Sequence, residues 1–152
     1  LVLSTVHTNS AAETLTRLAN MGVSSFNIAS AVSLIIAQRL ARKLCHHCKE
    51  PIEIPRKALQ KEGLNNEEIN QATLYKAMGC KHCTQGYKGR IGIYEVVPIT
   101  ESMRQLIMRD ANSLEIDQQA RREGYPSLHR SGLLKVMQGI TSLEEINRVS
   151  KE

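Results

Sequence analysis

The sequence has no tryptophan, and only one phenylalanine and four tyrosines among its 152 residues. Surfaces that grip single-stranded nucleic acid usually stack bases on aromatic rings, yet Phe26, Tyr75, Tyr87, Tyr94 and Tyr125 are scattered along the chain. No apolar run approaches the roughly 20 residues needed to cross a bilayer, so no transmembrane helix is written, while a peripheral membrane role stays open. The first residues carry no methionine and no basic stretch ahead of an apolar one, and so do not resemble a secretory signal. Leu1-Val2-Leu3-Ser4-Thr5-Val6 reads instead as a strand of a larger sheet, with the expectation that the chain begins inside an element of a longer protein. Internal repeats and low-complexity tracts are absent. So are G-x-x-x-x-G-K-[ST], H-E-x-x-H, G-x-S-x-G and G-x-G-x-x-G, and the chain by itself carries no complete catalytic constellation.

What is present suffices for a folded body. Apolar residues make up 41% of the chain, and a length of this order supports one well-buried core or two small ones, hiding roughly two-thirds of the unfolded surface. Twenty Lys and Arg against fifteen Asp and Glu give a formal charge of +5. That excess invites a nucleic-acid reading, and Arg39, Arg42 and Lys43 form a basic run, although a solvated charged face explains such a run as readily.

The four cysteines fall as Cys45-x-x-Cys48 and Cys80-x-x-Cys83, separated by 31 residues. One C-x-x-C knuckle converges two thiolates on an ion, and two knuckles complete the tetrahedral shell that Zn²⁺ prefers. The connector exceeds that of compact zinc ribbons, which points to an inserted subdomain. Two disulfides or a redox-active C-x-x-C are the alternatives; the duplicated pair without a secretory signal favours metal. Four sulfur ligands leave no open position, so the zinc is expected to be structural. His46, His47 and His82 lie beside the knuckles as surface groups or supports of the ligands. Arg42, Lys43, Lys49, Lys81 and Lys88 are expected to offset the negative tetrathiolate. Metallation lowers the formal charge by about two units.

Elsewhere, Ser10-Ala11-Ala12-Glu13 is a capping box opening a helix that Met21-Gly22 ends. Ser25 is expected to cap a second helix through Ile28, Ala29, Val32, Ile35 and Ile36, buried on more than one side. The following Gln38 to Leu44 reads either as helix or as extended chain. Pro51 and Pro55 bound a short extended piece, Arg56 to Glu62 and the stretch from Asn66 form helices, and Leu74 to Ala77 a strand. Gly86 to Val97 reads as a turn and strand ended by Pro98. Thr100, Ser113 and Ser127 start three helices, the last two stopped by Gly124 and Gly139, and Ser142-Leu143-Glu144-Glu145 is a second capping box. The last third is therefore expected to be a small helical bundle.

Leu3-Ser4-Thr5-Val6-His7-Thr8-Asn9, Gln38-Arg39-Leu40-Ala41-Arg42-Lys43-Leu44-Cys45, the tetracysteine pattern, Gly89-Arg90-Ile91-Gly92-Ile93-Tyr94-Glu95 and Leu143-Glu144-Glu145 together resemble one family over essentially the whole chain. It is that of the secretion and pilus-assembly ATPases of the type II secretion and type IV pilus systems. Looser likeness at Ile35 to Gln38 and Gly139 to Ser142 leans toward pilus extension. The resemblance implies an α/β fold: residues 1–44 as the end of a RecA-like P-loop ATPase core, 45–88 as an inserted tetracysteine zinc subdomain, and 89–152 as a strand plus a helical region. It implies a cytoplasmic homohexamer, peripherally associated with the inner membrane through a platform protein, that binds ATP and Mg²⁺. His7 would be the His-box histidine near the terminal phosphates, with Thr5 and Thr8 beside it and Arg90 in the nucleotide's vicinity. Cys45, Cys48, Cys80 and Cys83 would be the zinc ligands. The Walker A lysine, Asp box and Walker B acid have no counterpart here, so the chain alone is expected neither to bind ATP tightly nor to hydrolyse it. Competing readings are a zinc-ribbon nucleic-acid-binding module and a thiol oxidoreductase.

Overall fold

A computed structural model describes residues 1–150. In chain order its elements are α1 (Ala11–Asn20), α2 (Ser25–Ala31), β1 (Leu34–Leu44), β2 (Glu50–Pro51), α3 (Arg56–Glu62), α4 (Asn66–Gln71), β3 (Tyr75–Lys76), β4 (Tyr87–Pro98), α5 (Glu101–Met108), α6 (Ser113–Arg122), α7 (Leu128–Met137) and α8 (Leu143–Ser150). Strands β1 and β4 pair with each other, as do β2 and β3. The chain folds as two compact units, each assembled from two separated stretches rather than from consecutive segments.

The first unit comprises Leu1–Gln38 and Tyr94–Ser127. Helix α1 starts where the Ser10 hydroxyl accepts from the Glu13 backbone N–H, while the Glu13 carboxylate accepts from Asn9 rather than from Ser10. Small residues on α1 and α2, Ala11, Ala12 and Ala29, let α1 pack on α6 and α2 on α5 around Leu15, Ile28, Met103, Ile107 and Ile116. Buried Glu95 accepts from the Ala11 backbone N–H, capping α1, and pairs with Arg121 of α6, which also holds Asp117. Burial pulls the Arg121 pKa down, but Asp117 and Glu95 outweigh it and hold the guanidinium above its usual range.

Four expectations are corrected in this unit. Leu1 to Val6 form no strand; no neighbouring strand among the described residues pairs with them, and a lone extended segment lacks the ladder that defines one. The second helix ends at Ala31 and does not run through Ile36. Its cap is Ser24, not Ser25. The apolar run beyond it is extended, because Leu34, Ile35, Ile36 and Ala37 alternate between exposed and buried with period two, and β-branched residues suit that geometry. That also settles Gln38 to Leu44 as strand. Similarly, Asn112 rather than Ser113 caps α6, through a reciprocal box with Glu115.

The second unit comprises residues 39–93 and those from Leu128 onward. Its core gathers Ala41, Leu59, Leu64, Leu74, Ile93, Leu133, Val136 and Ile146. Gly132 of α7 allows the close approach of α8, since a Cβ there would meet Ile146 Cγ2 at 2.7 Å. Polar clips tie α3 and α4 to the same core: Arg130 pairs with Glu68, and Glu62 lies 3.2 Å from His129. Helices α5 and α6 therefore belong to the first unit and α7 and α8 to the second, and the single helical bundle expected of the last third is divided.

Candidate metal centre

The first knuckle follows β1. Leu44 is buried and its N–H donates to the Ile140 carbonyl at 2.8 Å, and the Cys45 N–H donates to the Gly86 carbonyl at 2.8 Å. The Cys45 carbonyl then accepts from Cys48 and Lys49, bending the chain so that both thiols face inward. The second knuckle turns as the Cys83 N–H donates to the Cys80 carbonyl at 3.2 Å. It leads into a tight reversal in which Thr84 and Tyr87 exchange two backbone hydrogen bonds of 3.0 Å. Gln85 and Gly86 both have positive φ, 52° and 84°, as a two-residue turn of this hand requires. Gly86 has no substitute here: a Cβ would stand 2.6 Å from Ala77 Cβ and 2.7 Å from Met78 N.

These two turns bring Cys45, Cys48, Cys80 and Cys83 together, with all four Sγ atoms within 4.8 Å of one another. Cys45 to Cys80 measures 3.9 Å, and Cys48 to Cys83 and Cys80 to Cys83 both measure 3.7 Å. A disulfide needs about 2.05 Å, and all four cysteines are free. Four ligands placed tetrahedrally at ~2.3 Å from an ion would be about 3.8 Å apart, so the cluster has the spacing of a thiolate shell. The Gly79 N–H points to Cys48 Sγ and the Cys80 N–H to Cys83 Sγ, each at 3.3 Å, which favours sulfur in its anionic form. The crowded sulfurs are drawn in opposite directions at Cys83 and Cys48. At Cys83 burial pushes the thiol up, but the Cys80 N–H and the neighbouring thiols bring it down to about 7. At Cys48 the Gly79 N–H favours the thiolate, yet burial and the other three thiols push it up to about 11.

The histidines flank this cluster. The rings of His46 and His47 lie 3.9 Å apart and those of His47 and His82 4.6 Å apart. His46 first, then burial, His82 and Lys88, lower the His47 pKa, which keeps that exposed ring neutral. Of the five cations expected to offset the thiolates, two are committed elsewhere. Lys49 donates to the Gly139 carbonyl at 2.8 Å and sits 4.4 Å over the Tyr75 ring. Arg42 stacks 4.2 Å over Tyr87 and grips Glu145.

That last contact is a feature the sequence reading missed. Fully buried Glu145 accepts from the Arg42 backbone N–H at 2.9 Å and from the guanidiniums of Arg42 at 2.8 Å and Arg148 at 2.6 Å. The Ser142 hydroxyl does cap α8 through the Glu145 N–H, but the Glu145 side chain turns inward instead of completing the box. The signal available was Arg148 three residues on, beside the apolar Ile146. Tyr87 closes the group with a 2.7 Å hydroxyl contact to Ser142.

The other candidate residues are placed individually. His7 and Thr5 are exposed, Thr8 Oγ1 is 2.7 Å from Thr14 Oγ1, and all three belong to the first unit. Arg90 is exposed on β4 in the second unit.

Residues 1–148 match the family model described as Type II/IV secretion system protein, and the chain belongs to that family. Within it, the chain is 61% identical over its full length to the type IV pilus assembly ATPase PilB of Pseudomonas aeruginosa and 56% identical to that of Acinetobacter baylyi, covering 27% of each relative. It is 42% identical, again over its full length, to the type II secretion system ATPase E of Vibrio cholerae, covering 30% of it. The chain thus spans less than a third of the length of these relatives. It corresponds to part of a pilus-assembly or secretion ATPase, and among the described residues no helix is long and apolar enough to cross a membrane.

Proposed function

We propose that this chain is the C-terminal, zinc-bearing part of a hexameric ATPase that powers type IV pilus assembly or, in the related machine, type II secretion. The observation that carries the reading is the convergence of four free thiols at metal-ligand spacing in a chain that matches the family over residues 1–148. The higher identity to pilus assembly relatives favours pilin polymerisation. Zn²⁺ suits the donor set best, since an all-sulfur tetrahedral shell is characteristic of structural zinc and leaves no position for water or substrate. The ion would fasten the two knuckles and stiffen the second unit. ATP and Mg²⁺ would be bound by residues outside this sequence, with His7, Thr5 and Thr8 near the terminal phosphates and Arg90 in the nucleotide's vicinity. The parent would act in the cytoplasm against an inner-membrane platform protein, and the RecA-like core would supply the nucleotide sites between subunits.

The test uses the full-length parent protein. It is expected to hydrolyse ATP and to carry one zinc per chain. Cys80→Ser should lose the zinc and most of the activity, whereas His7→Ala should lose activity and keep the zinc. Full activity in both variants, or a parent without ATP hydrolysis, would overturn the proposal.

A further inference from the structure

Within the first unit, strand β4 buries Glu95 and Val97 on one side and exposes Tyr94 and Val96 on the other. Period two thus asks for an apolar residue at position 95, yet a carboxylate stands there, in a residue only 2% exposed. Ala12, Leu15, Ile35, Val97, Ile116 and Ala120 surround it. Burying a charge is costly even when it is paired, and an apolar side chain of similar size commonly serves stability as well or better. Glu95 is therefore better explained by what it holds. One carboxylate oxygen pairs with Arg121, and the other, Oε2, accepts from the Ala11 N–H at 3.1 Å. Ala11 is the first residue of α1, where unpaired N–H groups and the helix dipole favour negative charge.

The stretch carrying Thr5, His7 and Thr8 runs directly into this helix start. Leu1 to Val6 form no strand, so the placement of His7 depends on what fixes the residues that follow it. Helix α1 supplies local clamps: the Glu13 carboxylate accepts from the Asn9 N–H at 3.1 Å, and Thr14 Oγ1 donates to the Ser10 carbonyl at 3.1 Å and touches Thr8 Oγ1 at 2.7 Å. These tie the segment to its own helix. Glu95 instead ties the helix start to β4 and, through Arg121, to α6, where Asp117 holds the same guanidinium. We propose that Glu95 is a positioning residue for ATP hydrolysis by the parent protein, anchoring the first turn of α1 so that His7 and Thr8 are presented in a fixed place. The inference rests on the nucleotide role proposed above for His7 and adds the residue that sets its geometry. Misplacing a reacting group by about 1 Å can cost on the order of a hundredfold in rate.

The rival explanation is that Glu95 only stabilises the first unit. The experiment measures kcat and KM for ATP in the full-length parent, together with thermal unfolding and hydrogen exchange. Glu95→Gln keeps the shape but puts an uncharged amide against Arg121. Glu95→Met removes the acceptor and supplies the apolar side chain that the surrounding wall suits, while Arg121 retains Asp117. Ile107→Ala, in the same core on α5, is the control for lost stability. Both Glu95 variants are expected to lower kcat about tenfold or more and to leave KM within about twofold. Exchange should quicken in residues 7–14 and not in α2 or α5, and Glu95→Met should melt close to the unsubstituted protein. Ile107→Ala should melt lower and, assayed well below its melting temperature, keep its kcat. Added to His7→Ala, Glu95→Gln should cause little further loss, because it acts through His7. An unchanged kcat in the Glu95 variants, a loss that Ile107→Ala reproduces, or a full additional loss on top of His7→Ala would overturn the inference alone. Full activity of His7→Ala by itself would overturn the reading on which the inference rests, and the inference with it.

Discussion

Glu145 is the residue on which most of the second unit's polar organisation depends. Burial pushes its carboxyl up, but Arg148, Arg42 and the Arg42 N–H more than compensate and hold it down to about 2. Because its folded pKa lies below the unfolded value of about 4.3, its contribution is complete above that value and is lost as the pH falls toward 2. The half-exposed guanidiniums are screened by solvent, which leaves a contribution on the order of 2 kcal/mol. Urea unfolding at pH 6 and pH 3 should therefore show a lower midpoint at pH 3. Glu145→Gln should lower the midpoint at pH 6 and flatten that pH dependence, because two guanidiniums lose their buried counter-charge. An unchanged pH slope in the variant would contradict this account. The sequence marked Glu145 as a capping residue and gave no view of its partners, since Arg42 stands 103 positions away. The cysteines, by contrast, were legible because a C-x-x-C pair is a local geometric device repeated, and only the packing of the two knuckles had to come from the fold.

At the scale of elements, the reversal from Thr84 to Tyr87 sets the position of the second knuckle. Gly86→Ala would place a methyl group against Ala77 and Met78 while keeping a positive φ that side chains resist. It should destabilise the second unit by about 2–4 kcal/mol and raise metal loss to a chelator, measured by a colorimetric zinc indicator. Gln85→Ala, at the adjacent exposed position, should have the smaller effect. Helices whose ends carry Ser, Thr or Asn caps were legible to within a residue, as at α1, α4 and α5, because capping is local chemistry. The change from α2 to β1 was not. Leu34 to Ala37 is apolar throughout, and a short apolar run does not distinguish helix from strand until a pairing partner is known. That partner, β4, lies more than forty residues downstream.

Across the whole molecule, the two units have separate cores, and the metal centre belongs to only one of them. Cys80→Ser is therefore expected to expose amides in Cys45 to Tyr87, and also in α7 and α8, which are bonded to the knuckle through Ile140, Gly139 and Ser142. Helices α1, α2, α5 and α6 should keep their protection. Hydrogen exchange read by mass spectrometry separates the two patterns, and uniform loss across both units would contradict separate stabilisation. Domain division was the least legible level, since each unit is made of two stretches far apart in sequence, a property of tertiary contacts alone.

The most direct measurement is metal content coupled to thiol reactivity on the purified chain. The account predicts one zinc per chain, released only as all four cysteines react with a thiol reagent, with loss of structure in the second unit. Metal-free protein with Cys45, Cys48, Cys80 and Cys83 in two disulfides, and its structure intact, would contradict it.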